Sequence, residues 1–312
     1  MASFGRRAMV GGRLASRILV RALIRLWGRD VMLYVGGVSF FALLAVFPAL
    51  ALLMSFYGMV FTPEQARLQA EGMTQLLPTG AQGLFRREIV ELSGGSFRVL
   101  SAQGLLALII GTYATHRGFK ALLAGLNFIH DEDDPHGFVK FNLLAFFVAL
   151  ATFAFATLIS GVILVARLMG VRDFQVEGMG ILDSEWLWVG IGLVAGFTSL
   201  YRYAMSHRSR VVWRASVAGG IATTLLALFA SWASAYYVDQ LSALGAAYGS
   251  ISAVVIFLIW LSWSVNAVFF GGALATEVEI ALHEYKGMER KPTRQTRSLK
   301  TGAPHRAFRR GS

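Results

Sequence analysis

Six stretches of the chain are apolar over lengths that suit a membrane. They span residues 31–60, 99–125, 141–169, 187–203, 215–237 and 250–277. A helix needs about 20 mostly apolar residues to cross a hydrocarbon core roughly 30 Å thick. The pattern therefore predicts an all-α integral membrane bundle of six transmembrane helices within residues 31–285. Arg117 and Lys120 interrupt the second stretch, which we expect to continue as an amphipathic extension at the membrane surface.

The first 30 residues have a different pattern, in which arginine recurs at every fourth position. The repeated residues are Arg13, Arg17, Arg21, Arg25 and Arg29, with leucine, isoleucine and tryptophan between them. Spacing of four keeps side chains on one face of a helix. A basic face opposite an apolar one predicts a helix that lies in the membrane interface and contacts anionic headgroups. An RNA-binding arm is the alternative, but the apolar stretch that follows favours the interface.

Two further segments are polar. Residues 62–96 carry a helical apolar pattern that Pro78 and Gly80 interrupt, which predicts two short amphipathic helices at the outer mouth of the bundle. Residues 286–312 are basic and lack apolar periodicity. A segment of that composition cannot bury enough apolar surface to fold, so we expect a disordered cytoplasmic tail.

The composition of the chain is that of a protein surrounded by lipid, and the distribution of its charges predicts its orientation in the membrane. Hydrophobic residues make up 55% of the chain, charged residues 15%, and the mean hydropathy is +0.57. Soluble domains carry about 25% charged residues. The net charge is +11, and with the N-terminus inside, 23 of the 29 Lys and Arg residues fall on the cytoplasmic side. The positive-inside rule then predicts that both termini are cytoplasmic, and a basic excess of this kind indicates anionic lipid rather than nucleic acid.

The sequence has few candidates for catalysis or metal binding. It has no cysteine, no phosphate-binding loop, no serine elbow and no zinc-protease motif. The densest group of possible ligands is the acidic loop from His130 to His136, whose spacing matches no known metal-binding loop. We interpret it as a solvated turn and expect no metal, no cofactor and no enzymatic activity.

Ionisable residues are rare inside the apolar stretches. Arg117, Lys120 and Glu277 lie near predicted helix ends, where long side chains can reach water. A charge within a membrane is costly and is by default a functional candidate. Glu277 could form a cytoplasmic gate pair with Arg117 or Lys120; the alternative is that all three are interfacial anchors.

Uncharged polar residues and helix-bending residues are more frequent than charges. Glycine, serine and threonine in the first, fifth and sixth stretches allow helices to approach closely. They also suit a substrate cavity lined by helices that bend around it. The residues predicted to face this cavity are Ser39, Pro48, Asn127, Tyr248, Trp260 and Asn266. Packing alone is the alternative explanation.

Three stretches resemble a known family. They are residues 34–48 (YVGGVSFFALLAVFP), 122–129 (LLAGLNFI) and 248–263 (YGSISAVVIFLIWLSW). In this order they are similar to the YihY/BrkB family of bacterial inner-membrane proteins, once mislabelled ribonuclease BN. The resemblance covers roughly residues 20 to 285 and implies six helices and a multi-pass inner-membrane location. At the end of the last helix this chain has Ala273 where the family commonly has glutamate.

Members of the family that this chain resembles have been linked to serum resistance, to export of envelope lipids and to ion antiport. Because charge is scarce in the helix interiors of this chain, an amphipathic substrate is favoured over a naked ion. The leading hypothesis is a transporter or lipid-handling protein for an amphipathic envelope molecule. The rival is a non-transporting scaffold whose basic face binds the anionic inner leaflet or a cytoplasmic partner. Substrate and oligomeric state stay open.

Overall fold

The regular structure of the described chain is entirely α-helical. A computed structural model describes residues 2–27, 31–60, 74, 79–93, 102–131, 138–168, 185–205, 210–240 and 251–289. Its helices are α1 (Ala2–Trp27), α2 (Val31–Val60), α3 (Thr79–Ser93), α4 (Ala102–Ile129), α5 (Phe138–Leu168), α6 (Glu185–Ala204), α7 (Trp213–Gln240) and α8 (Ser252–Glu289). The predicted all-α class is confirmed.

Four of the helices in the described residues are long and apolar enough to cross a membrane, judged by length and composition. These segments are Val31–Leu52, Val139–Ile159, Trp213–Ser234 and Ser252–Glu284. The other two predicted spans form α4 and α6. α4 carries Arg117 and Lys120, and α6 is rich in glycine, tryptophan and tyrosine, so both are less apolar. Six membrane crossings stay a prediction.

The polar segments are described only in part. In the outer segment α3 forms a helix, whereas the other predicted short helix falls on residues 62–78, which apart from Thr74 lie outside the described residues. α8 extends to Glu289, so the first four residues of the predicted tail are helical. Residues 290–312 lie outside the described residues.

The bundle has two packed ends. At one end, buried residues from six helices form the largest core cluster of the described residues, with Ala22, Val35, Ile129, Tyr201 and Phe269 among its members. At the other end α3 packs on α2 and α8. There Phe85 stacks on Phe47, with ring centroids 5.5 Å apart, and meets Phe257 at 5.1 Å. The first end joins the C-terminal part of α1, the beginning of α2, the ends of α4 and α6, the beginning of α7 and the C-terminal part of α8.

Glycines allow α2 and α4 to approach closely. Three glycines of α4 recur every seven residues and face three residues of α2 with the same spacing. The facing pairs are Gly111 with Pro48, Gly118 with Phe41 and Gly125 with Tyr34. A Cβ at position 118 would lie 3.3 Å from the Phe41 Cβ, and one at position 111 would overlap the Pro48 ring. We call this contact the glycine seam.

A second close approach joins α7 to α8, the most extensively packed helix pair. A Cβ on Gly219 would lie 2.6 Å from the carbonyl oxygen of Gly271. The buried hydroxyl of Tyr201 on α6 fills the space beside this contact: it lies 2.6 Å from Thr223 Oγ1 and donates to the Val268 carbonyl at 2.7 Å. Small residues therefore bring three helices together around one buried polar group.

Candidate functional site

Arg25 anchors α1 to the bundle. Its Nε donates to Glu277 Oε1 at 2.8 Å, and its Nη1 donates to the Ile129 carbonyl at 2.9 Å and to the Asp131 carboxylate. The side chains of Arg25 and Glu277 are 13% and 6% exposed. One guanidinium thus joins α1 to α8 and to the end of α4. We call Arg25, Asp131 and Glu277 the ion cluster.

The carboxylates beside Arg25 stabilise its positive charge. Burial on its own lowers the pKa of Arg25, but the hydrogen bonds that it donates to Asp131 and Glu277, together with their negative charges, raise the pKa above its ordinary value. Arginine is charged at any physiological pH even without such help. The cluster therefore always contains a cation beside a buried carboxylate, and removal of either partner would leave an uncompensated charge.

Asp131 reaches the cluster from a left-handed backbone conformation, with φ of 59°. It follows the last turn of α4, where the amide of His130 donates to the Leu126 carbonyl at 3.0 Å. Helices often end in such a left-handed residue, usually glycine, because the conformation satisfies the last carbonyls. Here the position is occupied by a residue whose side chain contacts Arg25, which indicates that the contact outweighs the conformational cost.

Beside the ion cluster, His130 at the end of α4 forms a second polar group with two residues of α8. His130 Nδ1 lies 2.9 Å from Thr276 Oγ1, and His130 Nε2 lies 3.8 Å from Glu279 Oε2. Glu279 is 9% exposed, and its Oε1 accepts from the Val212 amide at 3.0 Å. The carboxylate therefore caps the beginning of α7, where the helix dipole favours negative charge.

The peptide group between Val211 and Val212 is bonded at both of its polar atoms. Its carbonyl accepts from Arg202 Nη1 at 2.9 Å, and its amide donates to Glu279 at 3.0 Å. A single rigid peptide plane thus connects the end of α6 to α8. A shift of Val211 and Val212 relative to α6 or α8 would therefore change one of these two bonds.

Uncharged polar side chains continue along the α7–α8 interface away from the ion cluster. Trp260 Nε1 donates to Ser231 Oγ at 3.0 Å. Ser264 lies one turn from Trp260, and Ser234 lies three residues beyond Ser231. Within the described part of the chain, the buried hydroxyls of Ser234 and Ser264 have no hydrogen-bond partner. We call Tyr201, Thr223, Ser231, Ser234, Trp260 and Ser264 the polar track.

The arginines predicted to contact headgroups do not share one environment. Arg17 and Arg21 are exposed. Arg25 differs from the prediction, because it turns towards Ile129 and Glu277 and is nearly buried. A drift of the four-residue spacing around the helix brings it to the side of Ala22, which is fully buried. The side chain of Arg13 and all of Arg29 lie outside the described residues.

The predicted partner of Glu277 in the gate pair, Arg117 or Lys120, is wrong. Glu277 is paired with Arg25. Arg117 is exposed and lies over the rings of Phe41 and Tyr113, at 5.9 and 5.8 Å from their centroids. Lys120 donates to Asn142 Oδ1 on α5 at 2.9 Å. Helical spacing could not identify the cation because α1 reaches Glu277 only through tertiary packing.

The described residues that were predicted to line one cavity lie at several different contacts of the bundle. Ser39 is buried and contacts Ser262 of α8, with 3.4 Å between their hydroxyls, whereas Pro48 faces Gly111 of α4. Trp260 joins the polar track. Asn127 is buried near the end of α4, and Asn266 donates to a carbonyl of its own helix, that of Ser262, at 2.9 Å. Tyr248 lies outside the described residues.

Sequence reasoning missed Arg202, Glu279 and the unpartnered serines. Glu279 lies two residues after Glu277, and this pair of acids inside an apolar helix was the readable signal. Of the predicted acidic loop, only His130 and Asp131 are described. Among the described residues, no group of three or more histidine and carboxylate side chains is arranged to hold a metal ion.

Apolar helices with buried uncharged polar groups and a buried ion cluster define a helical integral membrane protein. The family described as Virulence factor BrkB matches residues 22–296, and the chain belongs to this family. The resemblance found in the sequence is confirmed.

Individual relatives are distant. The protein named "Putative ribonuclease-like protein YfkH" of Bacillus subtilis is 23% identical over 80% of this chain and 88% of its own length. A UPF0761 membrane protein of Paraburkholderia xenovorans is 36% identical over 26% of this chain, and one of Bordetella petrii is 29% identical over 35%. These two matches cover 20% and 23% of the relatives' lengths. No solved structure matches the chain significantly.

Proposed function

We propose that this protein transports or otherwise handles an amphipathic molecule of the bacterial envelope. The observation that carries the proposal is the polar track, in which the hydroxyls of Ser234 and Ser264 are buried without a partner in the described residues. A buried hydroxyl without a hydrogen bond is costly, and native structures seldom keep one without a reason. A substrate headgroup that passes along the α7–α8 interface would supply the missing bonds.

The arrangement of charge suits a molecule with a polar head and an apolar body. The residues of the polar track are uncharged, and the ion cluster lies at one end of the bundle rather than along the track. A naked ion would need charged or carbonyl ligands within the membrane. A lipid-like molecule needs hydrogen-bonding groups for its head and apolar helix surfaces for its chains.

The proposal includes an inner-membrane location, six crossings and cytoplasmic termini. Support comes from the Lys and Arg distribution and from the packing of α4 against α2, the first apolar span, along the glycine seam. α6 likewise packs against α7. Shorter or less apolar helices enter membranes when neighbouring helices cover their polar residues.

Native mass spectrometry of the purified protein tests the proposal. We expect a reproducible amphipathic molecule bound to the wild-type chain and lost on Ser234→Val or Ser264→Val. The matched control is Thr152→Val on α5, because Thr152 is exposed and its hydroxyl already donates to its own helix at 2.8 Å. Bulk lipid at equal occupancy in all four proteins would overturn the proposal.

The scaffold alternative has its own observation, the exposed Arg17 and Arg21 on α1. Each arginine near an anionic leaflet contributes about 1 kcal/mol of attraction. In this case Arg17→Gln and Arg21→Gln would lower membrane or partner binding, while the serine variants would have no effect.

We also propose that the chain is not an enzyme, although the name of one relative includes the word ribonuclease. The test is incubation of the purified protein with labelled RNA, with and without added Mg²⁺ or Zn²⁺. Intact RNA is the expected result, and cleavage that co-purifies with the protein would contradict the proposal.

A further inference from the structure

Two arginines share aromatic neighbours at the turn between α6 and α7. The guanidinium carbon of Arg202 lies 5.1 Å from the ring centroid of Trp213 and 5.6 Å from that of Tyr203. That of Arg210 lies 5.4 Å from the Tyr203 centroid. Tyr203 and Trp213 are 55% and 56% exposed. The turn thus presents two cations and two aromatic rings on its surface.

These cations lack the carboxylates that Arg25 has. Among the described residues, neither Arg202 nor Arg210 is within ion-pair distance of an aspartate or glutamate. The exposed Arg214 adds a further positive charge nearby. Guanidinium groups held around one ring repel each other, so a bound anion would lower the electrostatic free energy of the turn.

The position of the turn matches the level of lipid headgroups. Trp213 is the first residue of the apolar segment Trp213–Ser234. Tryptophan and tyrosine concentrate at the boundary between hydrocarbon and water, where the phosphates of the lipids lie. An anion at this depth in a membrane is the phosphodiester of a phospholipid.

The geometry of Arg202 is prepared for such a ligand. Its Nη1 donates to the Val211 carbonyl at 2.9 Å, which fixes the guanidinium plane beside Trp213. A guanidinium has five N–H donors, so most of them stay available. Arginine binds phosphate through two parallel hydrogen bonds more strongly than a neutral donor does.

We propose that Arg202 and Arg210 bind the phosphate of an anionic phospholipid, of the phosphatidylglycerol type, with Tyr203 and Trp213 beside its glycerol. This site is on the membrane-facing surface of the turn and does not depend on the transport function proposed above. The peptide plane between Val211 and Val212 connects it to Glu279, so headgroup binding stabilises the junction of α6, α7 and α8.

The test is a titration of the full-length protein in mild detergent with short-chain phosphatidylglycerol, and with phosphatidylcholine of the same chains. We expect Arg210→Gln to weaken phosphatidylglycerol binding about tenfold, since a hydrogen bond to a charged group is lost. Arg87→Gln, which removes an exposed charge on α3 that has no predicted headgroup role, is the matched control and should change binding less than about twofold. Phosphatidylcholine should bind weakly to all three proteins.

Three results would overturn the site. One is an equal loss of affinity in Arg210→Gln and Arg87→Gln, which would show diffuse attraction. Another is equal affinity for the two lipids. The third is displacement of the lipid by inorganic phosphate at a similar concentration, which would identify free phosphate as the ligand. If Arg210→Gln fails to fold, Arg210→Lys replaces it, with a loss of severalfold expected and an unchanged affinity counting against the site. Ser234→Val, which tests the transport proposal, should leave phosphatidylglycerol binding intact, so the two proposals can fail independently.

Discussion

Arg25 shows how far a residue-level pattern predicts a contact. Five arginines recur with the same spacing, yet in the described structure Arg25 meets buried Glu277 while Arg17 and Arg21 are exposed. Periodicity identifies the face of a helix but does not say which part of that face meets a neighbour. The sequence suggested Arg117 or Lys120 as a partner for Glu277, and only the packing of α1 against α8 identified Arg25.

Replacement of Arg25 should therefore be costly. Arg25→Gln leaves Glu277 buried without a cation, and we expect a loss of on the order of 3 kcal/mol in the free energy of unfolding. Thermal unfolding in mild detergent measures the effect, with the exposed Arg21→Gln as the control. The double variant Arg25→Gln/Glu277→Gln should recover part of the loss, and equal midpoints for the two single variants would contradict the ion cluster.

The backbone of Asp131 gives a second prediction at this scale. Both Asp131→Ala and Asp131→Gly remove the carboxylate from Arg25, but only glycine adopts a φ of 59° without strain. We expect the glycine variant to be more stable than the alanine variant by about 1 kcal/mol. Comparison of their thermal midpoints isolates the backbone contribution, and an equal or reversed order would rule it out.

At the scale of elements, hydrophobic length was a good guide to the helices. The apolar stretch 31–60 became α2 with the same limits. The apolar pattern did not show which helices pack against each other. The seven-residue spacing of Gly111, Gly118 and Gly125 was readable in the sequence and matches that of Tyr34, Phe41 and Pro48. It was missed because a search for apolar residues passes over glycines.

The glycine seam predicts a contrast between two equal substitutions. Gly111→Ala would push a methyl group into Pro48, whereas a Cβ at Gly190 on α6 meets nothing within 4 Å. We expect Gly111→Ala to destabilise the protein by about 1–3 kcal/mol and Gly190→Ala to stay within about 1 kcal/mol of the wild type.

Unfolding midpoints in detergent test this contrast. Pro48→Ala on the Gly111→Ala background should restore part of the stability, since it removes the atoms that clash. Similar midpoints for the two alanine variants would mean that α2 and α4 are not in close contact at this position.

At the scale of the whole molecule, the membrane assignment followed from composition and the family assignment confirmed it. The apolar pattern gives a weaker signal for α4 than for α2, because α4 carries Arg117 and Lys120 within its length. In the structure Arg117 lies over aromatic rings and Lys120 is bonded to Asn142. Such compensation depends on neighbouring helices, so local hydropathy does not show it.

The orientation can be measured directly because the chain has no cysteine. Single cysteines at Ala2 and Ser312 should react with a membrane-impermeant maleimide only after the cells are opened. A cysteine at Gly83 on α3 should react in intact cells, because α3 is expected on the outer side. Labelling of all three positions from the same side would contradict cytoplasmic termini combined with an outer α3.

The distance along the chain between Arg25 and Glu277 has a consequence for biosynthesis. The two residues are 252 positions apart, and at about 5–20 residues per second translation separates them by tens of seconds. During that interval Arg25 is without Glu277, and its available partners are the anionic membrane surface and, once α4 has been made, Asp131 and the Ile129 carbonyl. Arg25 would then exchange lipid phosphate for Glu277 when the last helix inserts. A chain that stops short of α8 would lack the Arg25–Glu277 contact, and of the ion cluster α1 would keep only the contacts of Arg25 at the end of α4.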